Sequence, residues 1–362
     1  MSKKQILILP GDGIGPEVVE TARQVLQKIA EIFNHDFNFK YGLIGHSSII
    51  KTGKALDTET LQIAKESDAI LFGAVGDPSY DNNPSAKIRP EQGLLEIRKE
   101  LGLFANLRPV QVFEELIDSS PLKAEIVKGT DILFFRELTG GIYFGKPRER
   151  QNNNQTAIDT MVYHKFEIQR IAKMAFEAAR NRRKKVLSVD KANVLECSRL
   201  WRETVEEVAK DYPEVELSHQ FIDSATMKLM TQPREYDIIL TANLFGDILT
   251  DEASQIAGSL GMLASASVGS QVGLFEPIHG SAPDIANQNI ANPLATILSA
   301  ALLLEIGLNM KKESELIIQA VKKVLKDGYR TKDLILTQKD YDKEKVLGTK
   351  EMGQKVLERL VN

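Results

Sequence analysis

Asn243-Leu244-Phe245-Gly246-Asp247-Ile248-Leu249-Thr250-Asp251-Glu252-Ala253-Ser254 follows directly on Asp237-Ile238-Ile239-Leu240-Thr241, a short apolar run that reads as a buried strand. The longer stretch reads as a helix with Asn243 at its N-cap. At a rise of about 1.5 Å per residue, Asp247 and Asp251 share one face of that helix, roughly 6 Å apart along its axis. Two anions so placed repel each other and ask for a cation. Oxygen donors without His or Cys suit Mg²⁺ or Mn²⁺ better than zinc. The helix dipole explains acids only in the first turn, so it does not account for Asp251, the eighth helical residue on this reading. Taken alone, the stretch supports either a metal site or a solvated acidic face.

Size and composition narrow the classes. The 362 residues allow two domains, or one large α/β unit with an insertion. A net charge of −4 with 27% charged residues is an ordinary mixed surface, which argues against nucleic acid or anionic membrane as the main partner. The single cysteine, Cys197, cannot form an intramolecular disulfide and fits a reducing compartment. Its helix-forming neighbours make it a packed small hydrophobe and not a nucleophile. Ile6 to Leu9 is too short for a signal peptide. The apolar stretch from Ala295 to Leu308 is interrupted by Thr296, Ser299 and Glu305 and reads as a buried helix started by Asn292-Pro293. A cytoplasmic protein is expected.

Along the chain, strand and helix alternate. Residues 5 to 9 form an apolar strand, followed by Gly11-Asp12-Gly13-Ile14-Gly15-Pro16-Glu17 and a helix with apolar residues at helical spacing from Val18 to Phe33. The glycines stand at 11, 13 and 15, whereas the G-x-G-x-x-G fingerprint needs its third at 16, where there is a proline. Spacing therefore excludes a Rossmann fingerprint. A second strand and helix occupy Phe37 to Ala64, and a third strand runs from Asp68 to Ala74. A long polar loop covers Asp77 to Pro90, and a helix runs from Glu91 to Leu101. Strand-rich sequence from Asp131 through Gly145 leads to a helix over Lys165 to Arg180, a strand over Val186 to Val189 and a helix opening at Asp190. A strand from Glu216 to Ile222 ends in Asp223, and the terminal helix begins at Thr349. The basic run Arg182 to Lys185 complements a helix C-terminus. The alternation is that of an α/β fold.

Six stretches taken together carry a family resemblance: Leu-Pro-Gly-Asp-Gly-Ile-Gly-Pro-Glu (9 to 17), Ala-Asn-Leu-Arg-Pro (105 to 109), Arg-Glu-Leu-Thr-Gly-Gly-Ile-Tyr-Phe-Gly (136 to 145), Asp-Lys-Ala-Asn-Val (190 to 194), Asn-Leu-Phe-Gly-Asp-Ile-Leu-Thr-Asp (243 to 251) and His-Gly-Ser-Ala-Pro-Asp (279 to 284). The chain resembles the β-decarboxylating dehydrogenases of the isocitrate/isopropylmalate type over nearly its whole length. The resemblance implies two α/β domains, not of Rossmann type: residues 1–103 with 258–362, and an inserted domain, 104–257, that carries the metal carboxylates and the dimer interface. It also implies oxidation of a 2-hydroxy acid by NAD⁺ followed by loss of the β-carboxylate as CO₂.

Site roles follow from the same resemblance. Asp247 and Asp251 would ligate Mg²⁺ or Mn²⁺ together with Asp223 of the partner subunit, and the cation would stabilise charge developing on the substrate oxygen. Arg98, Arg108 and Arg136 look like the clamp on the malate carboxylates, for which planar guanidinium groups are well shaped. Lys191 resembles the general base, acting across the dimer interface, and Tyr143 the acid. A lysine acting so must lose its own proton, which desolvation or a nearby cation promotes. His279, Gly280, Ser281, Ala282, Pro283, Asp284 and Asn292 resemble the cofactor loop, with Ile14 and Glu91 beside it. A carboxylate at 284 would bind ribose hydroxyls and repel a 2′-phosphate, favouring NAD over NADP. Asn287-Gln288-Asn289 stands where many relatives have glycines; asparagine tolerates a left-handed backbone, so the turn is expected to survive.

Substrate choice rests on Leu94, Leu95 and Val194, an apolar set in which burying an isopropyl group is worth on the order of 1 to 3 kcal/mol. Isocitrate would set a carboxylate against leucines. The sibling activities on isocitrate, homoisocitrate or tartrate remain the alternatives within the class. Outside it stands a non-catalytic nucleotide-binding protein, against which the full set of lysine, tyrosine and aspartates argues.

Overall fold

A computed structural model describes residues 2–80, 83, 86–335 and 341–361, so part of the long loop read between Asp77 and Pro90 lies outside the described residues. The chain divides into two compact units, one of Met1–Leu103, Phe113–Pro121 and Ala257–Asn362, the other of Phe104–Val112 and Leu122–Ile256. The short stretch Phe113–Pro121 belongs with the first unit although it lies in sequence within 104–257.

The first unit begins with β1 (Lys3–Gly11), α1 (Gly15–Phe33), β2 (Asp36–Tyr41), α2 (His46–Thr52), α3 (Thr58–Glu66), β3 (Ala69–Ala74) and α4 (Glu91–Glu100). The sequence reading has one helix where α2 and α3 stand. Gly53, at φ +74°, ends the first, and the Asp57 carboxylate opens the second by accepting from the backbone N–H of Glu59 and Thr60.

The second unit runs through β4 (Ala105–Gln111), α5 (Ala124–Val127), β5 (Asp131–Glu137), β6 (Arg148–Gln151), β7 (Thr156–Asp159), α6 (Lys165–Arg180), β8 (Lys185–Asp190), α7 (Glu196–Ala209), β9 (Glu216–Phe221), α8 (Ile222–Thr231), β10 (Ile238–Thr241) and α9 (Asn243–Ala257). The chain then returns to the first unit with β11 (Ala264–Val268), β12 (Gly273–Pro277), α10 (Leu294–Leu302), α11 (Lys311–Lys326) and α12 (Thr349–Leu360).

In the first unit the strand order is β2-β1-β3-β12-β11, parallel except for the β11/β12 pair. Sheets covered on both faces need apolar residues at consecutive positions, and Ile6 to Leu9 and Ala69 to Phe72 are all buried. Leu7, Leu9, Ile70, Phe72 and Leu274 from the sheet pack with Ile97 and Leu101 of α4 and the adjoining Leu103. The apolar α10 packs against β11, β12, α1 and α11, which explains its composition. It continues into a π-helical turn, Leu303–Gly307, that the sequence did not announce. No helix among the described residues is long and apolar enough to cross a membrane.

In the second unit the order is β4-β5-β10-β8-β9, with β4 antiparallel and the others parallel. α6 buries Ile168, Ile171, Ala172, Ala175 and Phe176 over β5, β8 and β10. Trp201 of α7 meets Tyr163 edge-on at 5.6 Å and donates from Nε1 to Ser188 Oγ at 3.1 Å. Arg182 is spent on Asp131 and Asp237, both within 2.9 Å. The Cys197 thiol donates to the Met161 carbonyl.

Four local readings are corrected here. Residues 139–145 are not strand: β5 stops at Glu137 and the backbone turns through Gly141–Tyr143, where Gly141 at φ +79° lies so close to Tyr163 that a Cβ would collide with the phenol. Lys191 is not in a first helical turn, because residues 192–194 form a turn and α7 begins only at Glu196. The Asp190 carboxylate holds that turn by accepting from Ala192 N–H at 2.9 Å and from Arg202. Asp223 lies in the first turn of α8 and not at a strand end. Asn243 is inside α9, with Ala242 accepting the Gly246 N–H before it, so its side chain is free for other work.

Candidate active site

The second unit concentrates charge where β4 and β5 meet α9. Asn243, Asp247, Thr250 and Asp251 recur at helical spacing and present one polar face. Against it stand two buried arginines from the neighbouring antiparallel strands. Arg136 pairs with Asp247 Oδ1 through Nη1 and donates to Asn243 Oδ1 through Nη2 at 2.9 Å, while its Nε donates to the Asn243 carbonyl at 2.9 Å. Arg108 donates to Asn106 Oδ1 at 2.5 Å and to Thr250 Oγ1, and lies 3.8 Å from both Asp247 and Asp251. Asn243 also donates from Nδ2 to the Gly140 carbonyl at 3.2 Å, and its backbone N–H donates to Tyr163 Oη at 2.8 Å. Those are the partners that displace it from a cap role.

Tyr143 donates to Asp247 Oδ2 at 2.8 Å. Burial first, then that hydrogen bond to an anion, push its phenol up to about 12, so it is protonated at neutral pH. Burial also raises the Asp251 carboxyl above the usual carboxylate range; Arg108 opposes the shift and Asp247 adds to it. Two aspartates crowded in this way make an oxygen donor set for a hard divalent cation. Lys191 and Asp223 form a separate pair in the same unit, Nζ to Oδ1 at 2.6 Å, with the ammonium holding the Asp223 carboxyl below its ordinary value. Among the described residues no group of three or more His, Cys, Asp or Glu is placed to hold a metal, so Asp223 does not join Asp247 and Asp251 within one chain.

The first unit gathers the remaining predicted residues except Val194. Asp12 is buried and its carboxylate accepts three backbone N–H bonds, from His46 (2.8 Å), Ser47 (3.0 Å) and Gly76 (3.0 Å), tying the turns after β1, β2 and β3 together. Close approach requires the glycines here: a Cβ on Gly13 would overlap the Ser281 carbonyl, and one on Gly45 the Asp12 carboxylate. Ile14 donates its N–H to that same Ser281 carbonyl at 2.8 Å and packs with Val18, Ala282, Ile285, Ala286 and Ala291.

The loop after β12 is thereby docked on the start of α1. It carries Gly280 and Asp284, both exposed, the left-handed Ala282 at φ +37°, and Pro283 opening a short 3₁₀ turn. His279 Nε2 is buried with no hydrogen-bond partner among the described residues, and burial lowers the ring's pKa. Asn292, assigned to the same loop, is committed inward: Oδ1 accepts from Leu294 N–H at 3.0 Å and Nδ2 donates to Asp333 at 3.0 Å.

On α4, Glu91 is exposed in the first turn, Leu94 packs on the core, and Leu95 is half-buried. Arg98 is buried in an ion pair with Glu276 at 2.7 Å, and its Nε has no hydrogen-bond partner among the described residues. Val194, in the second unit, is largely exposed. The sequence reading missed Asp12, Asn106, Asn243, Thr250 and Glu276 as holders of these groups. Asn106 and Thr250 were in view, two residues before Arg108 and one before Asp251.

Residues 5–356 match the model of the isocitrate/isopropylmalate dehydrogenase family. The chain belongs to that family. It is 56% identical to a 3-isopropylmalate dehydrogenase of Aquifex aeolicus, covering 99% of this chain and 98% of that one. Identity to the enzyme of the same name from Bacillus subtilis is 55%, over 92% of each. Among solved structures, an isocitrate dehydrogenase from Methylococcus capsulatus superposes with a TM-score of 0.87 at 32% identity, covering 99% of this chain and 100% of that one. A β-decarboxylating dehydrogenase from Thermococcus kodakarensis gives 0.77 at 35%, covering 99% and 96%. The chain is therefore a decarboxylating dehydrogenase with the isocitrate/isopropylmalate dehydrogenase fold, and its substrate is a small molecule.

In this dehydrogenase the Asp12 carboxylate is the hub of three turns in the first unit. Asp12→Ala leaves three N–H groups without their acceptor and is expected to lower unfolding free energy by about 1.5 to 3 kcal/mol, read from urea denaturation. An unchanged midpoint would show that the turns hold themselves.

Proposed function

We propose that the enzyme oxidises and decarboxylates (2R,3S)-3-isopropylmalate with NAD⁺, giving 4-methyl-2-oxopentanoate and CO₂ in leucine biosynthesis, as a cytoplasmic homodimer with shared active sites. The observation that carries this reading is the pair of buried arginines facing Asp247 and Asp251, with Tyr143 on the same carboxylate. Relatives named 3-isopropylmalate dehydrogenase, at 52 to 57% identity, support the substrate. The apolar Leu94, Leu95 and Val194 favour an isopropyl group over the carboxylate of isocitrate.

Asp247 and Asp251, with Asp223 of the partner subunit, would hold Mg²⁺ or Mn²⁺, and the first-unit loop of Ile14, Glu91, His279 to Asp284 and Asn292 would hold NAD⁺. When bound, the cation supplies a Lewis acid for the oxygen on C2, and NAD⁺ supplies the hydride acceptor. Arg98, Arg108 and Arg136 bind and orient the carboxylates. Lys191, reaching from the other protomer, takes the hydroxyl proton as the C2 hydrogen departs as hydride. The C3–carboxylate bond then breaks, its electron pair remains on the organic fragment as an enolate, and CO₂ leaves. Tyr143, protonated at neutral pH, delivers a proton to the enolate carbon. Asp284 accepts from the adenosine ribose hydroxyls and excludes a 2′-phosphate.

Three outcomes test this. Purified enzyme given 3-isopropylmalate, NAD⁺ and Mn²⁺ is expected to produce NADH; turnover of isocitrate or tartrate instead would move the activity to a sibling. Lys191→Ala and Tyr143→Phe are each expected to be inactive, while unfolding and refolding the two together restores about a quarter of wild-type activity through mixed dimers with one complete site. No restoration would refute sites shared in this way. Asp284→Lys is expected to raise the KM for NAD⁺ roughly tenfold or more and to favour NADP⁺; an unchanged preference would contradict the ribose contact.

A further inference from the structure

The segment that follows Asp284 contains two non-glycine residues in the left-handed region, Asn287 at φ +62° and Asn289 at φ +57°. Left-handed backbone strains most side chains and is cheapest for glycine, with asparagine among the more tolerant of the others. At Asn289 the contacts are specific. Its Oδ1 accepts from Lys350 N–H at 2.9 Å, and its Nδ2 donates to Glu351 Oε2 at 2.8 Å. Its backbone carbonyl accepts from Thr349 N–H at 3.2 Å. All three partners lie in the first turn of α12, whose own N-cap, Gly348, offers no side chain. Gly348 also has to be a glycine, since a Cβ there would overlap the Asn289 carbonyl and amide.

Two further ties close the arrangement. Thr349 Oγ1 donates to the Ala291 carbonyl at 2.7 Å, and Asn287 N–H donates to Glu17 Oε1 on α1 at 3.2 Å. The Asn289 contact is the leading cause that holds the Glu351 carboxyl below its ordinary value. α12 in turn packs along α1 and α11.

We propose that Asn289 is a positioning residue for cofactor binding: it supplies the missing cap of α12 from outside that helix and so fastens the far end of the 279–292 loop to a rigid element. The near end is already fixed by the Ile14 to Ser281 hydrogen bond. With both ends held, the residues between them are ordered before the dinucleotide arrives, and less of the binding free energy is consumed in arranging the loop. This inference rests on the reading of 279–292 as the NAD⁺ loop.

The test is Asn289→Gly, which keeps the left-handed backbone and deletes only the side-chain clasp. It is expected to raise the KM for NAD⁺ by roughly three- to tenfold, with kcat and the KM for the malate substrate unchanged. Asn289→Asp places a carboxylate against Glu351 and is expected to be worse, and adding Glu351→Gln, which removes the repulsion, is expected to restore the KM for NAD⁺ most of the way. A lowered thermal midpoint with an unmoved KM for NAD⁺ would reduce Asn289 to a stabilising cap and overturn the proposal. Asp284→Ala separates the two claims. If it weakens NAD⁺ and Asn289→Gly does not, the clasp is wrong and the loop assignment stands; if neither affects NAD⁺, both fall.

Discussion

Two guanidinium groups buried against a pair of crowded carboxylates are the constraint around which the second unit is built. Taking such charges out of water costs several kcal/mol each, recovered only when geometry is good and every remaining hydrogen-bonding site is served. Here the service is thorough: Asn106 and Thr250 take Arg108, and Asn243 takes Arg136 through both its side chain and its carbonyl. These contacts tie α9 to β4 and β5. A guanidinium does not lose its proton in any working range, so the positive side of the arrangement is permanent. On the negative side burial raises the Asp251 carboxyl above the ordinary range and the crowding of Asp247 adds to it, and a bound divalent cation would relieve that repulsion.

The first unit solves a different problem with less charge. Three turns must come close enough to share one surface, and backbone N–H groups that converge need an acceptor that is small, buried and multiply competent. Asp12 is that acceptor, and the glycines beside it are dictated by the overlap any side chain would cause. His279 Nε2 and Arg98 Nε are buried without a hydrogen-bond partner among the described residues, as are the Thr296 and Ser314 hydroxyls elsewhere in this unit.

Much of this was legible in the linear chain, and the exceptions share a cause. The four-residue spacing of Asp247 and Asp251 was enough to put them on one face, and the odd glycine spacing was enough to exclude a Rossmann turn. Asn243 was misread as a cap because capping is a local preference, and a buried arginine from a strand more than a hundred residues away outcompetes it. Residues 139–145 have a strand-like composition, but the approach of Tyr163 to Gly141 is tertiary and leaves no local trace. Lys191 looked helical until the Asp190 carboxylate, drawn to Arg202, held the chain in a turn. The two left-handed asparagines, by contrast, fall as expected from their chemistry, and the contacts that Asn289 makes could not be read without α12 beside it.

The first unit is assembled from segments that lie before and after the second unit in sequence, with β3 paired to β12 and α1 packed along α12. During synthesis, therefore, the amino-terminal strands emerge long before the strand that completes their sheet, and they wait with one edge open. The second unit has all its strands once residue 241 has been made. Domains fold as units when their pieces are at hand, and an unpaired strand edge is a site for misassembly in the interval. The order of synthesis thus completes the second unit before the first, whose early strands keep an open edge until β12 arrives.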